Sequence, residues 1–78
     1  PRLTNQIEKV FDLMKDATWR TLAEISYNTD APEASVSAQL RHLRKDRFGG
    51  HTVEKRYDGG GLYSYALLAA GPLLSGER

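Results

Sequence analysis

Residues 21–47 read TLAEISYNTDAPEASVSAQLRHLRKDR, and the pattern in this stretch decides how the rest of the chain is read. Its second half places Val36, Leu40 and Leu43 on one narrow stripe, within about 60° on a wheel of 3.6 residues per turn. On that wheel Ala34, Ala38, Arg41 and Lys45 lie opposite the stripe. Ser35 and His42 flank them on one side and Ser37 on the other. The outward face therefore has small residues near its start and cations near its end. The first half is shorter. Thr21 and Glu24 have the spacing of a capping box, in which the threonine hydroxyl accepts from the third amide and the glutamate reaches back. Asp30 and Glu33 repeat that spacing, with Pro32 in the first turn, where its missing N–H costs nothing. Asn28-Thr29-Asp30 between them is turn chemistry. The stretch is expected to form two capped helices, the first ending near Asn28 and the second running to about Arg47. Two packed helices of any small bundle would carry the same signature.

Upstream, Ile7, Val10, Phe11 and Met14 recur at i, i+3, i+4 and i+7. This predicts an amphipathic scaffold helix that starts after Thr4 as N-cap and ends at Asp16-Ala17-Thr18. Trp19 is expected to fill core volume, the usual task of a lone tryptophan in a small domain. Downstream, Phe48-Gly49-Gly50 terminates the third helix. His51–Tyr57 alternates as a strand does, with Val53, Lys55 and Tyr57 on one face and Arg56 on the other. Asp58-Gly59-Gly60-Gly61 signals a tight reversal, and Leu62–Leu68 is the return strand. One domain over residues 1–68 is expected, with residues 69–78, AAGPLLSGER, as a flexible tail or linker.

The 78 residues suffice for one small core, and with no cysteine neither disulfides nor thiolate metal sites reinforce it. No apolar run approaches the roughly 20 residues of a membrane span. The N-terminus lacks the basic-then-apolar pattern of a signal peptide. A cytoplasmic chain with no membrane partner is expected, and Pro1 in place of Met points to a segment of a longer one. Net charge is only +1, but its distribution is uneven: residues 34–57 carry six Lys/Arg against two Asp/Glu. Such a concentration fits the footprint of a polyanion, and equally a solvated helix followed by a solvated strand. An enzyme is not expected. His42 and His51 have no metal-ligand spacing, and no nucleophile elbow, phosphate-loop or HExxH sequence occurs, so neither metal nor cofactor is anticipated.

The second half of the chain, ASVSAQLRHLRKDRFGGHTVEKRYDGGGLYSYAL, resembles the winged helix-turn-helix superfamily of prokaryotic DNA-binding proteins, over roughly residues 5–68. Its SVSAQLRHLRK portion is similar to the recognition helices of MarR-type and ArsR-type repressors and to small helix-turn-helix proteins of phages and prophages. The resemblance implies an α+β fold of three helices plus a C-terminal β-hairpin wing, with a stub strand at Trp19-Arg20-Thr21 pairing with the wing. It implies double-stranded DNA as partner, in transcription regulation, with the recognition helix in the major groove and the glycine-rich tip near the minor groove or backbone. By motif position Ser35, Ser37, Arg41 and His42 carry over to the helix contacts, and Lys55 and Arg56 to the wing. Those repressors have further helices for dimerisation or effector sensing and this chain shows none, which leaves a homodimer or a parent-protein partner open.

The residue types suit these roles. Arg41 can bond both guanine acceptors with its fork. Ser35 and Ser37 offer short donors near a helix N-terminus, where phosphate is favoured. Ala38 lets the helix backbone approach, and Lys45 reaches phosphate. Arg44 is expected to pair with an acidic group on the scaffold instead. The competing reading is a winged helix that binds protein within a larger assembly, through exposed Tyr57, Tyr63, Tyr65 and the Leu73-Leu74 pair.

Overall fold

Helix α1 (Asn5–Met14) buries the four residues its periodicity selects, Ile7, Val10, Phe11 and Met14. The computed structural model describes residues 5–74, so the proposed Thr4 cap lies outside the described residues. The helix ends where Ala17 turns left-handed, at φ 63°. Arg20 then reaches back. It donates to the Leu13 carbonyl at 3.1 Å and forms a two-pronged pair with Asp16 at 3.0 and 3.1 Å. One side chain thus satisfies an orphan carbonyl near the end of α1 and locks the turn. The Arg20 guanidinium, joined by the Thr18 amide, holds the Asp16 carboxyl well below the usual carboxylate range.

Strand β1 (Arg20–Thr21) leads directly into α2 (Leu22–Thr29). The predicted capping box is present in full: Glu24 N–H donates to the Thr21 hydroxyl at 3.1 Å and Thr21 N–H to the Glu24 carboxylate at 2.8 Å. The second expected box does not form. Asp30 takes the left-handed conformation, φ 60°, and ends α2, while Pro32 is the N-cap of α3 (Glu33–Leu43) with no side-chain cap. The turn between them is too tight for Asp30 to serve both helices. It is held by the Ser26 hydroxyl, which donates to the Ala31 carbonyl.

Helix α3 is also shorter than its pattern predicts, ending at Leu43 rather than near Arg47. The Leu43 carbonyl, which a longer helix would offer to Arg47, accepts the His51 N–H at 3.0 Å. Lys45 is extended, and a 3₁₀ turn over Asp46–Phe48 returns Phe48 to the body. Strands β2 (Thr52–Gly59) and β3 (Leu62–Leu68) then form an antiparallel hairpin with a register shift between Tyr57 and Gly59.

The fold is α+β: three helices and a three-stranded antiparallel sheet ordered β1-β3-β2. The hairpin is therefore not a separate flap. Arg20 and Thr21 pair with Tyr65 and Ser64 on the remaining edge of β3 and tie it to the helices. One core joins Ile7, Val10, Phe11 and Met14 with Ile25, Val36, Leu40, Leu43 and Leu67. No helix among the described residues is long and apolar enough to cross a membrane.

Trp19 is not core. It is 36% exposed, on the outer face of the sheet, with the Arg56 guanidinium 4.5 Å above its ring. The core was already filled from the helices, and the register sends Trp19 to the side opposite Leu67. There it lies over the same face as buried Ser64 and Ala66. The segment after Leu68 is tied down as far as Leu74. Ala70 N–H donates to His51 Nδ1, Leu74 N–H donates to the Phe48 carbonyl, and Leu73 packs on the core.

Candidate nucleic-acid interface

The buried stripe of α3 is the one the wheel selects: Val36, Leu40 and Leu43 are all in the core. That fixes the rotation of the helix. Ala34 and Arg41 are consequently exposed, and Ser35, Ser37 and Ala38 are half-buried. The early termination of α3 then matters. Arg44 is the αR C-cap of α3 and Lys45 the first extended residue after it, and with Arg41 and His42 they line an open cleft of about 370 Å³. Arg44 has no carboxylate partner among the described residues, contrary to the expectation of a scaffold ion pair, and the same holds for Arg41 and Lys45. The wheel missed Arg44 because it assumed a helix that continues. The glycine pair after Phe48 was the available sign that it does not.

His42 sits between two neighbours. Its ring stacks on Phe48 at 5.7 Å, and its Nδ1 donates to the Gln39 side-chain oxygen at a long 3.4 Å, Gln39 in turn donating to Gln6. Burial, with Lys45, Arg41 and Arg47 nearby, holds the imidazole below its ordinary 6.5, so it is neutral at pH 7. The unfolded chain accepts a proton that the folded ring resists. Stability from this site is therefore complete above the unfolded value and is lost as pH falls through the lower folded one. His42→Phe, which keeps an aromatic against Phe48, should flatten the decline in unfolding free energy between about pH 7 and pH 5. An unchanged pH profile would place that titration elsewhere.

His51 has a different task. Its Nδ1 accepts the Ala70 N–H at 3.0 Å, which leaves Nε2 to donate to the Phe48 carbonyl at 2.9 Å. Buried, and tilted against Phe11 at 5.0 Å, it is a brace between the 3₁₀ turn and the segment after β3.

The two hairpin cations point to opposite faces of the sheet, and both are exposed. Lys55 lies 4.4 Å over the Tyr63 ring on the same face as Tyr57 and Tyr65. Arg56, its side chain half exposed, stacks on Trp19 and pairs with Asp58 at 2.9 Å. Asp58 also accepts from the Ser64 hydroxyl, and these two partners, Ser64 first, lower its pKa. The structure thus gathers Arg41, His42 and Lys45 and adds Arg44. It puts Ser35, Ser37 and Ala38 earlier on α3 and places Lys55 and Arg56 on opposite faces of the hairpin, Arg56 beside Trp19 and Asp58. No group of three potential metal ligands is gathered among the described residues. What this defines is a small α+β domain whose exposed helix end is cationic. No family model matches the chain, and neither curated proteins nor solved structures give a match.

Proposed function

We propose that this domain is a winged helix-turn-helix that binds double-stranded DNA, with α3 as the recognition helix and the β2–β3 hairpin as the wing. The observation that carries the reading is the cleft formed by Arg41, His42, Arg44 and Lys45. It is a cluster of cations without ion-pair partners among the described residues, at the open end of a helix whose other side is buried. Uncompensated cations on a small domain cost self-repulsion, which a polyphosphate relieves by releasing its counterions. The half-buried small residues Ser35, Ser37 and Ala38 would let the helix approach a groove closely, with the serine hydroxyls as phosphate donors. Arg41 is the base reader, Arg44 and Lys45 are phosphate contacts, and Lys55 is the wing contact. Neutral His42 already spends its Nδ1–H on Gln39, so a phosphate contact through Nε2 requires proton uptake. Regulation of transcription is the role that follows from site-specific binding. A lone module buries only about 600–1,000 Å² on DNA, so tight binding calls for a second copy or a neighbouring module.

The test is a titration against random duplex DNA at several salt concentrations. Three cationic backbone contacts, Arg44, Lys45 and Lys55, predict a log–log salt slope of about −2.7. Arg41→Ala should weaken binding to a selected site by about 1–3 kcal/mol, with the unfolding midpoint unchanged. No binding at low salt would overturn the reading and turn attention to protein partners.

A further inference from the structure

The tip of the hairpin carries more exposed apolar surface than a phosphate contact needs. Tyr57 is 58% exposed, Leu62 60% and Tyr63 42%. The two tyrosines are cross-strand partners with ring centroids 5.1 Å apart. Tyr57 is held in place by its own turn, because the Gly61 N–H donates to the Tyr57 hydroxyl at 3.1 Å. Its ring is therefore set before any ligand arrives, and the entropy of ordering it has been met by folding. The turn glycines leave open space at the tip, where a Cβ at Gly59, Gly60 or Gly61 would meet nothing within 4 Å. By register the same face continues through Tyr65 and Lys55 to Val53 and Leu67. Lys55 is thus the one charge that β2 and β3 place on this face, and it already sits 4.4 Å over Tyr63. Opposite lies the start of the helix pair. Leu22 and Glu33 face Leu62, Tyr63 and Tyr65 across an open cleft of about 350 Å³.

From this arrangement we propose that the tyrosine face of the hairpin binds an unpaired nucleobase, so that the domain prefers duplex DNA bearing a single-stranded tail over blunt duplex. The inference rests on the DNA-binding reading and extends it. A flat ring with a polar edge is what the cleft can take. The Tyr63 ring, which lines the cleft and is braced by the tilted Tyr57 ring, stacks against its face, Leu62 covers its apolar edge, and the Glu33 carboxylate accepts from an exocyclic amine. Charge sets the polarity of entry. Glu33 repels a phosphate on the inner wall, and Lys55 attracts one at the outer strand, so the base enters and the backbone stays outside. A paired base cannot comply, since its hydrogen-bonding edge is already taken by its partner and cannot reach Glu33.

The experiment compares a blunt duplex with the same duplex carrying a short tail, by fluorescence anisotropy at fixed salt. A 2-aminopurine in the tail serves as a second readout. Wild-type protein should bind the tailed DNA about tenfold more tightly, and the 2-aminopurine emission should be quenched on binding. Tyr63→Ala should remove the preference and the quenching, and Tyr57→Ala, which takes away the brace behind Tyr63, should reduce both, each leaving blunt-duplex affinity unchanged. Arg41→Ala should lower both affinities and preserve their ratio. Equal affinity for the two DNAs, or tyrosine variants that weaken both equally, would overturn this proposal and leave duplex binding standing. Tail-dependent binding with no blunt-duplex binding would support it and overturn the recognition-helix reading instead. Binding to neither DNA would overturn both.

Discussion

Leu40→Ala is expected to destabilise the domain by about 2–5 kcal/mol, the range for truncating a buried leucine. Leu40 is 4% exposed and sits between Val36 and Leu43 on the core side of α3. Removing its isobutyl group loses the transfer energy of the buried atoms and leaves a cavity. The surroundings cannot easily collapse into it, because α3 is held by α1 on one side and α2 on the other. A core this small supplies only a few kcal/mol in total. The variant should therefore be largely unfolded at 25 °C, or close to it, which a urea melt followed by circular dichroism would register directly. A midpoint near wild type would mean that the stripe does not anchor α3, and the outward aim of Arg41 would lose its basis.

Gly49→Ala should cost nearly as much, for a different reason. Gly49 has φ 121°, a conformation that L side chains rarely adopt. An added Cβ would lie 2.3 Å from His51 Nε2. That ring cannot swing aside cheaply, because it bonds Phe48 and Ala70 through both nitrogens. Backbone strain of about 1–3 kcal/mol combines with the loss of a hydrogen bond of about 0.5–1.5 kcal/mol. Gly60→Ala is the control. It is left-handed as well, at φ 62°, but its Cβ would meet nothing within 4 Å. It should cost only the left-handed strain, about 1–2 kcal/mol. Equal losses for the two variants would show that the His51 brace contributes little.

Much of the architecture could be read without coordinates. The 3.6-residue repeat of α1, the Thr21–Glu24 box and the Val36–Leu40–Leu43 stripe are local signals, and each appears in the structure where the pattern puts it. The glycine-rich reversal and the strands flanking it were legible for the same reason. The errors came where a residue had two possible local roles. Asp30 has the chemistry of an N-cap and of a left-handed helix end. Only the path of the chain between α2 and α3 selects the second. Residues 44–47 keep a helix-compatible composition, yet the long-range bond from His51 to Leu43 stops the helix before them.

The candidate site divides along the same line. Rotation of α3 follows from hydrophobic periodicity, so the exposure of Arg41 was determined by order along the chain. The same periodicity put Lys45, one turn on, beside it, whereas the opening of Arg44 to the same cleft depends on the helix ending at Leu43. Nor could alternation on β2 tell that Lys55 rests on Tyr63 while Arg56 rests on Trp19 and pairs with Asp58. Period-two patterning assigns a side chain to a face but not to a partner, since partners arrive from distant strands. Short-range spacing thus set the helices, the reversal and the aim of the recognition candidate. Packing between segments far apart in sequence decided which partners the exposed cations rest on.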